Sequence, residues 1–302
     1  MFIPAGVTAS SIGDLLDHFP TSIHGAYSLR RFNKYTGACC RVRRPDDDNE
    51  ADVNFNDLGE ISLDSLVDNH SGGSSATILG DFLYASGYSN PDAMPAANNA
   101  YIVSWKDQSG GGRDVTQATE GDQPTLAVSG VLQTENGRVA IDFDSDVLQH
   151  SDASSYAQPN TYLAVIQSDA TTGTTWFLDG DGSGGGSVDR NVIGHSINYK
   201  RMWADDYTNL SGSATDTDQN LWFAVFNGAS TLLHINGGSD VASGDPGDYA
   251  MSGLRIGAHY AFPSTNYADW DGRIQEIIYY ITDQSGTRAG MEWDVNRYYS
   301  IF

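Results

Sequence analysis

Short apolar runs alternate with turn residues along most of the chain from residue 101 onward. The runs are rich in Val, Ile, Tyr, Phe and Trp and are bounded by Gly, Asn, Asp and Ser, which is typical of β-strands joined by turns. Asn227 and Gly228 lie between two of these runs and form a strong hairpin signal. The predicted strands cover residues 101–105, 124–127, 139–143, 162–167, 175–178, 192–197, 201–204, 221–226, 231–235, 253–256 and 273–281.

The first hundred residues have a mixed pattern instead. Residues 25–32 carry apolar side chains near helical spacing and predict a helix. Residues 71–99 are rich in Gly, Ser, Asn and Pro and predict a loop around the apolar patch 78–84. The other predicted elements are a helix over 11–19, a strand over 36–44 and a helix over 63–67 that Ser62 caps.

This order of elements predicts two parts. Residues 1–100 form a small docking lobe, and residues 101–302 form two antiparallel sheets packed face to face, followed by a helix over 284–299. In the alternative division, the amino-terminal segments complete the same sandwich.

The chain is strongly acidic. Its 302 residues carry a formal net charge of -23, and the isoelectric point is about 4.3. Phosphate binding needs basic patches, so this charge argues against nucleic acid as a partner. The chain begins without the basic and long apolar segments of a signal peptide, and no stretch is apolar enough to span a membrane. We therefore expect a protein that is made in the cytoplasm and does not associate with a membrane.

Three segments carry more specific information. They are residues 26–44, residues 103–118 with an Asp-Gln-Ser-Gly sequence at 107–110, and the closing strand 271–280. Together they resemble the concanavalin A-like (lectin-type) domain of bacteriophage virion proteins and, more distantly, the catalytic domain of α-L-arabinofuranosidase B. The resemblance implies an all-β fold, a concanavalin A-like β-sandwich or jelly roll with a small mixed amino-terminal lobe and a carboxy-terminal helix.

The Asp-Gln-Ser-Gly sequence also has a direct physical explanation. Asp107 and Ser109 can accept hydrogen bonds from nearby backbone amides, and the glycines that follow permit positive φ. We therefore predict that this segment stabilises a turn, with a ligand-binding rim as the alternative.

The resemblance to a glycoside hydrolase raises the question of catalysis. Such enzymes need two carboxyl groups that flank the glycosidic bond. The chain has no Glu between Glu135 and Glu276, and the segment similar to the family's nucleophile strand offers Asp189. Where the resemblance implies an acid/base Asp, the chain has His259. These departures predict that the protein is not an enzyme and that Glu276 has an architectural role.

A loop of alternating oxygen-bearing residues suggests a metal site. Asp179, Asp181 and Ser183 stand at alternate positions, as the ligands of hard-cation loops do. This spacing predicts a calcium site, although Arg190 stands where an EF-hand has its bidentate Glu. The alternative is a polar, Gly-rich hairpin loop without a metal.

Aromatic residues beside carboxylates suggest a sugar site. A ring face can stack on sugar C–H groups while polar side chains bond the hydroxyls. The best cluster is Tyr199, Trp203 and Tyr207 with Asp205. A second cluster consists of Tyr260, Phe262, Tyr267 and Trp270. A role in the core or between subunits is the alternative for both clusters.

These observations predict a non-enzymatic phage virion structural protein, such as a capsid decoration, head fibre or tail appendage, that binds host-surface polysaccharide. Virion proteins of this kind are symmetric assemblies, so we expect a homo-oligomer with other virion proteins as partners, and a trimer first. The alternatives are a glycoside hydrolase of arabinofuranosidase type and a free carbohydrate-binding lectin.

Overall fold

Strands form most of the described backbone. The structure, a computed structural model, describes residues 23–32, 35–72, 74–84, 98–181, 189–205, 208–238, 242–261, 264–267 and 269–302. Its strands are β1 (Ile23–Ser28), β2 (Cys40–Arg43), β3 (Glu50–Val53), β4 (Val67–Asp68), β5 (Ala100–Trp105), β6 (Val115–Thr116), β7 (Thr125–Val128), β8 (Val131–Leu132), β9 (Thr134–Glu135), β10 (Arg138–Val139), β11 (Ile141–Asp144), β12 (Leu148–Tyr156), β13 (Asn160–Ser168), β14 (Thr174–Asp179), β15 (Val192–Ser196), β16 (Tyr199–Trp203), β17 (Leu210–Ala214), β18 (Asn220–Phe226), β19 (Thr231–Ile235), β20 (Ala242–Gly244), β21 (Met251–Ile256), β22 (His259–Ala261), β23 (Ser264–Tyr267) and β24 (Asp271–Tyr280).

Two α-helices accompany the strands in the described part of the chain. They are the short α1 (Leu79–Phe82) and the longer α2 (Arg288–Tyr299), and 3-10 turns cover Glu120–Asp122 and Ser285–Thr287. None of the helices in the described residues has the length and apolar character that crossing a membrane requires. The predicted carboxy-terminal helix is confirmed as α2.

Of the 24 described strands, 20 form one antiparallel sheet that folds over on itself, and β9–β10 and β22–β23 are separate two-stranded sheets. The first layer has the order β1–β24–β13–β18–β19–β20, and the second has the order β17–β16–β15–β14–β21–β12–β6–β5–β2–β3–β4. Strands β11 and β7 connect β24 to β5 and so join the two layers. The predicted all-β sandwich with a carboxy-terminal helix is confirmed. Strands β1 to β5 belong to this same sheet.

Two hydrophobic cores explain why the central strands are buried on both faces. The larger core lies between the layers and includes Trp105, Trp222 and Trp270, all nearly fully buried. The smaller core lies between the first layer and α2, where Met291 and Val295 pack on the sheet. Because β13, β18 and β24 have a core on each face, they lack the apolar–polar alternation of a one-sided sheet.

Two predicted helices are wrong. Residues 25–32 begin with strand β1, which pairs with β24, and their apolar spacing reflects burial on both faces. A Cβ on Gly25 would lie 2.3 Å from a ring carbon of Tyr279, so glycine lets β1 and β24 pack closely. Residues 63–67 form a turn into β4, in which Ser65 donates its backbone N–H to the Ser62 carbonyl at 3.0 Å. The apolar patch at 78–84 contains α1, and residues 11–19 lie outside the described part of the chain.

The Asp-Gln-Ser-Gly segment holds a turn, as predicted. Asp107 accepts hydrogen bonds from the backbone N–H groups of Ser109 at 2.9 Å and Arg113 at 3.1 Å. It also accepts one from Ala26 N–H in β1 at 3.0 Å. Gln108 donates to the Ser28 carbonyl at 2.8 Å, so the segment also fastens β1 to the loop after β5.

Acidic residues gather where β11 ends, and their crowding predicts a pH effect on stability. Burial, with added repulsion from Asp144, Asp122 and Asp142, raises the pKa of Asp146 to about 6, although the Asp144 N–H bond opposes the shift. A raised pKa favours folding while the group is protonated. This contribution is present below the unfolded pKa of about 3.9 and is lost as the pH rises through the folded value.

Asp146→Asn should remove this pH dependence. The wild type should lose about 2–3 kcal/mol of unfolding free energy relative to the variant between about pH 4 and pH 7. Denaturant unfolding of both proteins across this range measures the difference. Parallel stability curves for the two proteins would show that Asp146 ionises in the folded state as it does in the unfolded one.

Candidate functional site

The run of strands β12–β21–β14–β15–β16 has one face on the larger core and one face turned away from it, which we call the outer face. Directly opposed residues on antiparallel strands lie on the same face. One row across these strands belongs to the core and consists of Leu148, Ile256, Leu178, Ile193 and Met202. The rows on either side of it therefore lie on the outer face.

Two outer-face rows carry the candidate chemistry. The first row consists of Gln149, Arg255, Asp179, Val192 and Trp203. The second row consists of Trp176, Gly194, Arg201 and Ser211. A bulge between Trp176 and Leu178 puts both rows on the same face of β14.

Three aromatic rings meet where the rows adjoin. Trp176 and Trp203 have ring centroids 6.2 Å apart in an edge-to-face arrangement. The His259 ring lies 5.6 Å from Trp203 and 6.1 Å from Trp176. Trp203 is half-buried, whereas Trp176 and His259 are buried. The cluster thus has one accessible aromatic ring supported by two enclosed ones.

A buried ion pair lies beside the rings. Arg190 donates from Nη2 to Asp179 Oδ2 at 2.6 Å, and its guanidinium carbon lies 4.8 Å from the centroid of Trp203. Asp179 is fully buried and also accepts a bond from Asp181 N–H at 3.1 Å. Because both charged groups are shielded from water, the attraction between them is strong.

A second carboxyl group, Asp269, has a different environment. Its backbone forms a parallel bridge with Trp176, and it is half-buried. Burial raises the pKa of Asp269 above its ordinary value, while the charge of Arg255 opposes the shift. Its Oδ1 atom is shielded from solvent and has no hydrogen-bond partner. Asp269 therefore holds a proton up to a higher pH than an ordinary aspartate does.

We call Trp176, Asp179, Arg190, Trp203, Arg255, His259 and Asp269 the outer-face site. Arg255 joins its two carboxyl groups, since it lies directly opposite Asp179 and within electrostatic reach of Asp269. Arg255 also donates to Gln149 Oε1 at 2.9 Å, which fixes its guanidinium along the first row. The site thus combines an aromatic surface, a carboxyl group paired with an arginine and a second carboxyl group whose pKa is raised.

The predicted sugar-binding residues fall partly within this site. Tyr199 and Trp203 lie on the same face of β16, at its two ends, and Tyr199 is 47% exposed. Asp205 follows β16 and accepts a bond from Thr208 N–H. Tyr207 lies outside the described residues. In the second predicted cluster, Trp270 is a core residue whose ring centroid lies 5.3 Å from that of Phe177, and the side chains of Tyr260, Phe262 and Tyr267 lie outside the described part.

Of the three predicted calcium ligands, two are buried carboxylates, and the third lies outside the described part of the chain. Asp179 is neutralised by Arg190, and Asp181 is also buried. Ser183 lies outside the described residues. Among the residues that are described, no group of three His, Cys, Asp or Glu side chains is arranged to hold a metal ion. Calcium at this loop stays a prediction.

The residues matched to catalytic positions have separate locations. Asp189 bridges Ala250 and accepts a bond from Ser155 Oγ at 2.8 Å. His259 belongs to the aromatic cluster. Glu276 lies in the first layer and bonds Arg30, away from the outer face. The sequence patterns used for prediction do not indicate Trp176, Arg255 or Asp269 as site residues. The alternation of side chains along residues 174–179 and 251–256 would put Trp176 and Arg255 on the face that points away from the core.

Comparison with solved structures identifies the same fold in glycoside hydrolases. A GH54 α-L-arabinofuranosidase soaked with a cyclic sulfate inhibitor superposes with a TM-score of 0.64 and 12% sequence identity, over 95% of this chain and 65% of that one. A variant of a GH54 α-L-arabinofuranosidase soaked with 4-nitrophenyl α-L-arabinofuranoside gives 0.58 at 14% identity, with the same coverage. An arabinofuranosidase complexed with arabinofuranosyl-α-1,2-xylobiose gives 0.56 at 14% identity, over 95% of this chain and 64% of that one.

The present chain thus spans about two thirds of the length of these enzymes. No family model matches the chain, and no curated protein matches its sequence. The similarity to the arabinofuranosidase fold is confirmed. The expectation of a phage virion structural protein is wrong, because the similar structures are glycoside hydrolases and fit the glycoside hydrolase alternative better. The expectation that the protein is not an enzyme stays a prediction. The homo-oligomer, with a trimer first, stays a prediction.

Proposed function

We propose that this chain is a carbohydrate-acting domain of the glycoside hydrolase type, which binds a sugar at the outer-face site and cleaves a glycosidic bond there. One observation carries the proposal: Asp179 and Asp269, two carboxyl groups in contrasting environments, adjoin the aromatic cluster of Trp176, Trp203 and His259. The shared fold of the arabinofuranosidases supports it.

The aromatic cluster supplies the binding surface. An indole face stacks on the C–H groups of a sugar ring, and nearby polar groups bond its hydroxyls and fix its orientation. Trp203 is the accessible ring, and Arg190 and Trp176 hold it in place from two sides. A half-buried platform of this kind loses little side-chain entropy when a ligand binds, because its rotamer is already fixed.

The two carboxyl groups suit separate chemical roles. In hydrolysis, protonated Asp269 gives its proton to the glycosidic oxygen as the C–O bond breaks, and a water molecule adds to the anomeric carbon and gives a proton to Asp179. Asp179 and Trp176 lie on the same face of β14, and Asp269 bridges Trp176, so both carboxyl groups adjoin the ring cluster on which the sugar is proposed to stack.

Turnover of a chromogenic glycoside tests the proposal directly. Since a similar enzyme was soaked with 4-nitrophenyl α-L-arabinofuranoside, this compound is the first substrate, followed by arabinose-containing polysaccharides. We expect release of 4-nitrophenol and free arabinose, and proton NMR of the reaction shows which anomer forms first. Failure to release sugar from any of these glycosides would exclude hydrolysis of this class.

Carbohydrate binding without cleavage is the second candidate function. It is favoured by the pairing of Asp179 with Arg190, which engages one carboxylate in a permanent ion pair. It is also favoured by the absence of any Glu between Glu135 and Glu276. Saturable sugar binding by a protein that releases no product would support this function over the first.

Trp203→Ala should weaken sugar binding about three- to tenfold, because the accessible stacking surface is lost and Arg190 loses its aromatic partner. Isothermal titration with the sugar measures the effect. Trp293→Ala is the matched control, since Trp293 is a 44% exposed indole on α2, far from the outer face in the fold. Equal affinities of wild type and Trp203→Ala would place the sugar elsewhere.

A further inference from the structure

The second outer-face row contains a cation that the proposed chemistry does not use. Arg201 lies on β16 midway between Tyr199 and Trp203, and all three side chains share the outer face. The alternate residues point the other way, because Met202 lies in the core and Lys200 pairs with Asp216. Arg201 thus lies between the two aromatic residues predicted to bind sugar.

Arg201 differs from most other cations of this protein. Arg30, Arg44, Arg113 and Arg190 each pair with a carboxylate within hydrogen-bonding distance. In the part of the chain that the structure describes, no carboxylate lies within 4.0 Å of Arg201, and its enclosed Nε has no hydrogen-bond partner. A half-buried guanidinium without a partner is costly. In a chain with a net charge of -23, an arginine that has no carboxylate partner among the described residues is also unusual.

The neighbours of Arg201 differ on its two sides. Ser211, directly opposite Arg201 on β17, is small and exposed. Gly194 lies opposite Arg201 on β15, and Trp176 packs over this glycine, because a Cβ on Gly194 would lie 3.0 Å from a ring carbon of Trp176. Arg201 therefore lies at the edge of the buried aromatic cluster, between exposed Tyr199 and half-buried Trp203.

We propose that Arg201 makes the surface between Tyr199 and Trp203 selective for acidic glycans, whose sugar rings carry carboxylate or sulfate groups. The proposal rests on the function proposed above and specifies its substrate class. Arg binds both kinds of oxyanion through two parallel hydrogen bonds. Tyr199 and Trp203 are about 13 Å apart at the usual rise per residue, so a glycan that spans them presents the substituent of its central ring to Arg201.

Binding of three ligand classes tests the proposal. The ligands are a neutral arabino-oligosaccharide, an oligogalacturonate and a sulfated galactan oligosaccharide of matched length, titrated at about 0.15 M salt so that long-range repulsion is screened. We expect the wild type to prefer at least one acidic ligand over the neutral one by about 10- to 100-fold. Preference for oligogalacturonate assigns a carboxylate ligand, and preference for the galactan assigns a sulfate ligand.

The variants separate a specific contact from a general effect of charge. Arg201→Gln should lose the preference for the acidic ligand and keep its affinity for the neutral one. Arg201→Lys should retain part of the preference, because the charge remains without the paired donors. Arg31→Gln is the matched control, as Arg31 is an exposed arginine of the first hundred residues, outside the outer face. It should bind all three ligands like the wild type.

Three results would overturn the inference. One is equal affinity of the wild type for neutral and acidic ligands, with the proposed carbohydrate function intact. Another is an equal loss of acidic-ligand affinity in Arg201→Gln and Arg31→Gln, which would show an effect of net charge alone. The third is an absence of binding to every glycan, and this result would also remove the proposed function.

Discussion

Glu276→Gln is expected to lower the free energy of unfolding by about 3–5 kcal/mol. Glu276 accepts two bonds from Arg30, at 2.7 Å to Nε and 2.9 Å to Nη2, and one from Ser28 Oγ at 2.7 Å. Both charged side chains are only 1% exposed. The amide has nearly the same shape as the carboxylate, so the variant isolates the charge and leaves the Arg30 guanidinium buried beside Asp294 alone.

Urea unfolding of wild type and variant measures this loss. The matched control is Asp64→Asn, an exposed carboxylate whose neutralisation should change stability by less than about 0.5 kcal/mol. The triple variant Arg30→Met/Glu276→Leu/Asp294→Asn should recover much of the lost stability, because it removes the ion pair together with the buried Asp294 charge that Arg30 also neutralises. If Glu276→Gln destabilised the protein no more than Asp64→Asn does, the ion pair between Arg30 and Glu276 would not be important for stability.

Asp269→Asn is expected to reduce kcat on an accepted glycoside by about 10²–10⁴-fold without a comparable loss of sugar affinity. The amide keeps the size of the side chain but cannot donate the proton that the leaving group needs. Because burial raises the pKa of Asp269, the group stays protonated to a higher pH than an ordinary aspartate. Activity should therefore persist at low pH and fall as the pH rises through that pKa.

Asp271→Asn is the matched control for this experiment. Asp271 is two residues further along the chain but is exposed and lies opposite Asp144 on β11, away from the outer face. It should leave kcat and the pH profile unchanged. An unchanged kcat in Asp269→Asn, measured with a wild-type protein that does turn over, would assign proton donation to another group.

How far the fold follows from the sequence depends on how each strand is buried. The apolar runs of β13, β18 and β24 are long and bounded by turn residues, so these three strands are predictable from the sequence. Strand β1 was mistaken for a helix, because Ala26 contacts the α2 side while Tyr27 contacts the larger core. Burial on both faces removes the two-residue period by which a strand is recognised.

The candidate site was only partly predictable. Tyr199 and Trp203 stand close together in the sequence, so their shared face follows from strand alternation. Asp179 and Arg255 meet only because β14 pairs with β21, and Asp269 reaches Trp176 only after the β22–β23 hairpin. These contacts join residues that are far apart in the sequence. They cannot be predicted from local patterns, because such patterns do not indicate which distant strands pair.

Strand β24 pairs with β1, β11 and β13, and it lies between the two cores. During synthesis β24 leaves the ribosome after all three of these partners. Strand β1 therefore stays without its pairing strand β24 until nearly the whole sandwich has been translated. A topology of such high contact order folds slowly, and unpaired strand edges stay exposed in the meantime. The nascent chain is therefore expected to need a chaperone until β24 emerges.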